Sequence, residues 1–248
     1  MNTEKTIGVK QVIRLEWMQK TADMLIAGRS EKDIRAELEE YLKDKSGGGG
    51  TLYRADKTKS IAVSLLMNAW ASPRKELKAL RDAALTYLKD KPEDALVCHW
   101  LMYAGAYPFL FNICGVFGAL FSNSKEPILK NQIMSRIYEI YGERSTVERC
   151  SRYAIRTFIV WGFLKDNGKT GIYEKNEPKP INSPFLGGLL LESALRSLPE
   201  QKSSLQSLLA SPGFFPFTLP QMSGSRIAQE NERLQLEHLE EEYLKVKN

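Results

Sequence analysis

The chain has 248 residues, of which 43% are hydrophobic and 26% charged, an ordinary mixture for a globular protein with a core of useful size. Lysine and arginine number 35 against 30 acids, and this net charge of +5 permits a polyanionic partner without requiring one. The three cysteines lie in apolar surroundings without a CxxC pair, which favours buried free thiols over a secreted disulfide framework. The N-terminal stretch lacks the apolar core of a signal peptide, so we expect a cytoplasmic protein.

Residues 1–94 are predicted to form an N-terminal helical domain. Apolar residues at helical spacing predict a first helix over residues 8–27. Ser30, followed three residues later by Asp33, predicts the capped start of a second helix. The glycine run at 46–50 is expected to be a flexible loop.

A small basic cluster lies at the entrance of the next predicted helix, residues 53–70. Arg54, Lys57 and Lys59 precede an apolar run there. Such a cluster is often only the solvated start of a helix. The alternative is that it extends a nucleic-acid footprint, in which each phosphate contact steepens the salt dependence by about one unit.

Residues 95–124 contain no Lys, Arg, Asp or Glu, a run long enough to span a membrane. Pro108 is expected to split it into two helices of about 12 to 14 residues, each too short to cross a bilayer. His99 adjoins Cys98, but adjacent side chains on a helix diverge, so we interpret His99 as a core residue. We therefore expect a buried helical hairpin and no membrane partner.

Two consecutive helices are predicted after this run. The first covers residues 128–141 and ends at Gly142. Ser145 and Glu148 form the S-x-x-E pattern of a capping box, which predicts that the second helix begins at this point and continues to about residue 160.

A β-hairpin is predicted directly after the second helix. The short apolar pairs 163–164 and 172–173 flank an Asp-Asn-Gly turn signal and are expected to pair with each other. Helix, tight turn, helix and hairpin is the order of a winged helix-turn-helix, which we place at residues 95–178. The predicted fold is therefore mainly α, a multi-helix protein with a central winged helix-turn-helix that carries a small β-hairpin wing.

The second of these helices has two unlike sides. Steps of about 100° place its apolar residues, from Val147 to Trp161, on one side and its arginines on the other. Residues 142–175 contain seven Lys or Arg and four Asp or Glu, a local excess of three positive charges. Arginine bonds a phosphate or the edge of guanine bidentately, and a helix of this size fits a DNA major groove. The candidate DNA-binding residues of this module are Arg144, Ser145, Thr146, Arg149, Arg152, Tyr153, Arg156, Lys165 and Lys169.

Other interpretations of the arginine side stay open. Arg152 can pair with Glu148 one turn away, which would leave only a solvated helix face. Winged helices also serve as protein-interaction modules, and an RNA-binding module of the antitermination type is a further alternative. We expect no enzyme, cofactor or metal, because catalytic motifs are missing. Acidic residues such as Glu16, Asp23 and Glu37 are expected on helix faces without a shared pocket.

Residues 179–248 are predicted to be a C-terminal helical region and tail. An apolar helix is expected over 185–198, and the Pro- and Phe-rich stretch 211–220 is expected to pack on a core as irregular structure. The charged end beyond residue 226 fits a terminal helix, although part of it alternates like a strand. Both this acidic tail and the phenylalanines are open to a partner-binding role or a plain structural one.

Five motifs follow one another along the chain: "KTKSIAVSLLMNAW", "ELKALRD", "HWLMYAGAYPF", "STVERCSRYAIRTFIVWGFL" and "SPGFFPF". Their order resembles the BrxA-like accessory proteins of bacterial BREX phage-defence systems. The likeness covers most of residues 20–220 and departs from the family in a longer N-terminal helix, the glycine insertion and the charged tail. It implies a small, mostly helical, non-enzymatic protein that binds double-stranded DNA through a winged-helix-like module and works with other defence proteins. Residue by residue it reaches only the helix at 146–163 and the hairpin after it.

Overall fold

The computed structural model describes residues 7–43, 45, 56–124, 126–166, 168–238 and 240–247. The glycine run at 46–50 and the candidate contact Arg54 lie outside the described residues, as does the side chain of Lys57. The described part is mostly helical, which confirms the mainly α class. The α-helices are α1 (Leu15–Ile26), α2 (Glu31–Tyr41), α3 (Asp56–Leu66), α4 (Lys78–Asp90), α5 (Ala95–Ala106), α6 (Pro108–Asn123), α7 (Lys130–Tyr141), α8 (Ser145–Val160), α9 (Pro184–Arg196), α10 (Leu205–Leu209) and α11 (Gly224–Glu230).

The N-terminal segment is helical over a shorter stretch than its sequence pattern predicts. Helix α1 begins only at Leu15, and the preceding residues run extended with Val9 and Ile13 fully buried. The Trp161 indole N–H donates to the Ile13 carbonyl at 2.9 Å, so the segment is held against the end of α8. The helix prediction for residues 8–14 is wrong because these tertiary contacts outweigh local periodicity.

The uncharged run forms a buried pair of helices that break at Pro108, as predicted. Every residue from 97 to 105 is buried, and the chain turns by 113° between the two helices. Within the described ranges, no individual helix has both the length and the apolar composition to span a bilayer. The segments Pro92–Ala106 and Pro108–Asn123 reach those values only when they are taken together.

Short strands join parts of the chain that are distant in sequence. An antiparallel pair links β1 and β2, a parallel pair links β3 and β5, and β7 lies between β4 and β6 in an antiparallel sheet. The strands are β1 (Ile128–Leu129), β2 (Ile172–Tyr173), β3 (Lys179–Pro180), β4 (Lys202–Ser204), β5 (Phe217–Thr218), β6 (Leu234–His238) and β7 (Glu242–Val246).

The chain reversal after α8 differs in register from the predicted hairpin. Leu164 lies opposite Lys175, and the Lys165 amide donates to the Glu174 carbonyl at 2.8 Å. Strand β2 pairs instead with β1, which occupies the first two residues of the predicted helix at 128–141. The predicted pairing of 163–164 with 172–173 is therefore wrong, because the reversal is wider than a tight turn, with positive φ at both Gly168 and Gly171.

The C-terminal region contains a small sheet in addition to the predicted helix. Helix α9 is confirmed, and the stretch 211–220 packs on α6 with Phe214 and Phe217 buried, as predicted. The stretch is not wholly irregular, because it contains a 3-10 helix at Pro212–Phe214 and strand β5. A Cβ on Gly118 of α6 would overlap the Pro212 carbonyl oxygen, so this contact requires glycine. Of the two alternatives left open for the charged end, the strand is correct beyond α11: β6 and β7 form a hairpin whose alternating apolar residues face the core.

Buried side chains from all three predicted regions belong to one hydrophobic cluster. Helix α5 contacts both α4 and α9, and α8 packs on α6 and α7. This shared core fixes the position of α8, whose surface carries the candidate site. The boundaries at 94/95 and 178/179 stay a prediction.

Candidate nucleic-acid interface

Helix α8 packs with the side that the sequence predicts toward the core. Val147, Cys150, Ala154 and Phe158 are fully buried. The Phe158 ring meets the Trp100 ring edge-on, with 5.6 Å between centroids. This packing fixes the rotation of α8 about its axis, so the opposite side faces solvent.

The arginines of α8 form an exposed row. Arg149, Arg152 and Arg156, which we call the arginine row, are all exposed and make no hydrogen bond or ion pair with any residue that the structure describes. Glu148, the expected alternative partner of Arg152, instead lies 3.3 Å from the Lys130 ammonium. The internal pairing of Arg152 with Glu148 is therefore wrong, and the row keeps its full positive charge.

The start of α8 is left without a side-chain cap. Arg144 is the N-cap residue, with an extended backbone at φ −143°, and its guanidinium donates to the Tyr141 carbonyl at 3.0 Å. Ser145 is already helical, so the predicted capping box with Glu148 is wrong. Ser145 and Thr146 are exposed at this end. Uncapped amide groups and exposed hydroxyls at a helix start suit an anion such as phosphate.

The remaining candidate residues are spread around the arginine row. Lys165 is exposed beside the Glu174 carboxylate at 3.3 Å, and Lys169 is exposed on the 166–171 loop. Tyr153 is half-buried and packs on the core, which makes it a weaker contact residue than the arginines. Of the second basic cluster, only Lys59 is described with its side chain, and it is half-buried, so that cluster stays a prediction.

A cleft of about 450 Å³ opens between α8, α7 and the 166–171 loop. Arg152 and Arg156 line it, together with apolar side chains such as Ile155 and Ile159. The sequence gives no sign of this cleft, because the pairing of β1 with β2 is what brings the 166–171 loop against α7. The adjacent apolar and basic positions of α8 are its one local signal.

The three cysteines and His99 lie in the hydrophobic core. Burial raises the pKa of Cys98 to about 12 and raises the pKa of Cys150, so these thiols stay protonated. The three cysteines are buried and free, as predicted. His99 is a core residue, also as predicted: its Nε2 lies 3.0 Å from the Gln19 amide oxygen, and burial lowers its pKa to about 3. Its hydrogen bonding is incomplete, because Nδ1 is buried without a partner among the described residues.

A second, open cleft of about 400 Å³ lies between α1 and α2. Glu16, Asp23 and Glu37 line it, so the expectation that these acids share no pocket is wrong. Lys20 and Arg29 also line it. The Lys20 ammonium lies 2.6 Å from Glu37 and lowers the pKa of that carboxyl, so the acids are partly neutralised. Across the described residues, no three His, Cys, Asp or Glu side chains are grouped to hold a metal ion.

Comparison with protein-family models, curated proteins and solved structures finds no match to this chain. The feature that bears on function is therefore the surface of α8 and of the residues around it.

Proposed function

We propose that the protein is a non-enzymatic, cytoplasmic accessory protein that binds double-stranded DNA through a winged helix-turn-helix. In this proposal α7 and α8 are the helix-turn-helix, and the reversal after α8 is the wing. The order α6, β1, α7, α8 and a reversal whose second arm pairs with β1 supports it. A link to a BREX-like phage-defence system, with other defence proteins as partners, is supported only by the resemblance of motifs.

The observation that carries the proposal is the arginine row. Arg149, Arg152 and Arg156 project from a helix whose other side is fixed in the core, and no described carboxylate neutralises them. Three guanidinium groups along about two turns of one helix can contact several phosphates or base edges of a DNA major groove at the same time.

Each part of the surface has a distinct role in this proposal. The arginine row enters or follows the major groove and bonds phosphates or guanine edges. Ser145 and Thr146, with the open amide groups beside them, hold a phosphate at the helix start. Lys165 and Lys169 reach the flanking backbone, which requires Lys165 to exchange its contact with Glu174 for one with phosphate.

A mobility-shift titration tests the ligand class. Random duplex DNA, single-stranded DNA and RNA are titrated at 50 and 200 mM salt, roughly the range over which phosphate contacts weaken binding most visibly. We expect the duplex to bind most tightly. Preferential binding of RNA would favour the antitermination-type alternative. Failure of every nucleic acid to bind below about 10⁻⁴ M would favour a protein-interaction scaffold.

A double substitution tests whether α8 contacts the DNA. Arg149→Ala with Arg152→Ala is expected to weaken duplex binding by about 10- to 100-fold, because two charge-assisted contacts are lost. Arg136→Ala is the matched control, since Arg136 is exposed on α7 and paired with Glu139 at 3.1 Å. Unchanged affinity in the double variant would remove α8 from the interface.

A further inference from the structure

The cleft beside the arginine row has the size and the lining of a small-molecule site. Its volume of about 450 Å³ falls within the usual range for such sites, which are mostly apolar with a few placed polar groups. Met134, Ile155, Ile159 and Tyr173 supply apolar surface. Tyr173 is held in place by β1 and by an edge-on contact with Phe117 at 5.8 Å between centroids.

The charges that line the cleft favour an anion. Four cations face two acids there. One of the cations, Lys130, already contacts Glu148, whereas Arg152 and Arg156 contact no partner within the described residues. Two unengaged guanidinium forks beside an apolar wall can hold a phosphate bidentately while the rest of the ligand covers the wall. The charged residues are Lys130, Arg152, Arg156, Lys169, Glu148 and Asp166.

We infer that the cleft binds a nucleoside monophosphate, either free or as a nucleotide at the end of a DNA strand. The phosphate lies against Arg152 and Arg156, and the sugar and base cover the apolar surface of Ile155, Ile159 and Tyr173. Inorganic phosphate would leave that apolar surface in water, and an uncharged nucleoside would leave both guanidinium groups unsatisfied. The inference rests on the proposed function in one respect, because Arg152 and Arg156 belong to both surfaces.

Sharing these arginines makes the two ligands compete. A free nucleotide in the cleft occupies the guanidinium groups that the proposed DNA contact needs, so it weakens duplex binding. A nucleotide at a strand end occupies the same groups as part of the bound duplex, so it does not compete with that duplex. Arg149 belongs to the arginine row but does not line the cleft. It therefore separates the two activities: Arg149→Ala weakens duplex binding and leaves nucleotide binding unchanged.

Calorimetric titration of the full chain without DNA tests the free-nucleotide source. AMP, GMP, CMP and TMP are compared with inorganic phosphate and with adenosine, and we expect at least one monophosphate to bind about tenfold more tightly than either control. Arg152→Ala with Arg156→Ala should weaken that binding by about tenfold or more, and Arg149→Ala by less than about twofold. Val160→Glu should also weaken it, because Val160 lines the cleft and a carboxylate there would repel a phosphate, while its 43% exposure lets the new charge reach water.

A second arm tests the strand-end source. Blunt duplex is compared with the same duplex carrying one unpaired terminal nucleotide with a 5′-phosphate. The strand-end source is supported if the duplex with the unpaired nucleotide binds more tightly and if Val160→Glu removes this gain. The inference is overturned if no monophosphate binds more tightly than inorganic phosphate and the unpaired nucleotide gives no gain in duplex affinity. It is also overturned if Val160→Glu changes neither the monophosphate affinity nor that gain. Duplex binding with neither monophosphate binding nor a gain from the unpaired nucleotide overturns the inference alone, whereas monophosphate binding without duplex binding overturns only the proposed function.

Discussion

Arginines occur in two contrasting settings in this molecule. In the C-terminal region, Arg196 and Arg233 converge on the fully buried carboxylate of Glu192, at 2.7 and 2.9 Å, and Asn231 donates to the same carboxylate at 3.2 Å. On α8, the arginine row is exposed and contacts no carboxylate within the described ranges. The first set joins α9 to the chain that leads into β6, and the second set forms no ion pair with any described residue.

The contrast shows which arginines are committed to the fold. A buried carboxylate requires cationic partners, so Arg196 and Arg233 are fixed by the cost of leaving Glu192 unpaired. The arginine row has no such requirement. Its guanidinium groups are exposed and form no ion pair among the described residues, so they are open to a ligand.

The largest effect is expected when the buried set is broken. Glu192→Ala leaves two mostly buried guanidinium groups without their shared carboxylate, and we expect the free energy of unfolding to fall by about 3 to 5 kcal/mol. Urea unfolding measures it. The matched control is Glu230→Ala, whose partner Arg226 has a side chain 55% exposed, and it should cost less than about 1 kcal/mol. Equal losses in the two variants would mean that the buried set is not structural.

The next effect concerns a buried group that must stay neutral. Burial lowers the pKa of His99 to about 3, from an ordinary value near 6.5, so between these values the unfolded chain binds the proton more readily. The free energy of unfolding should therefore fall by about 2 kcal/mol from pH 8 to pH 5.

Urea unfolding across that pH range checks this prediction. His99→Gln should flatten the pH dependence. The matched control is His238→Gln, which changes a histidine whose side chain is 70% exposed. A pH dependence that survives in His99→Gln would assign it to other groups.

A smaller effect compares two helix starts with the same residue type. Ser183 caps α9 by accepting from the Leu186 amide at 3.2 Å, whereas Ser145 makes no capping bond at the start of α8. Ser183→Ala should lower the free energy of unfolding by about 1 kcal/mol and Ser145→Ala by less than about 0.5 kcal/mol. Chemical denaturation measures both, and a larger cost at Ser145 would contradict an open helix start.

Features set by local chemistry could be predicted from the sequence. Pro108 ends α5 because proline cannot continue a helix, and the two sides of α8 follow from about 100° per residue. The burial of the cysteines follows from their apolar neighbours. At the candidate site, the exposure of the arginine row was likewise predictable, because it depends only on which side of α8 is apolar.

Features that depend on distant partners could not be predicted. The two residues of β1 are too few for a strand pattern and pair with residues more than 40 positions away. The Glu192 partner Arg233 and the walls of the cleft beside α8 meet only in the folded chain. The predicted cap of α8 was wrong by one position. Arg144, whose backbone is extended, is the N-cap residue, and Ser145 is already the first residue of the helix.

The salt dependence of duplex binding tests the central claim most directly. The logarithm of the association constant is measured against the logarithm of salt concentration for the wild type and for Arg149→Ala, Arg152→Ala, Arg156→Ala combined, with Arg136→Ala as control. If the arginine row contacts phosphates, the triple variant should lose up to about three units of slope, about 0.9 for each contact. Its free energy of unfolding should change by less than about 0.5 kcal/mol. An unchanged slope in a folded triple variant would contradict the account.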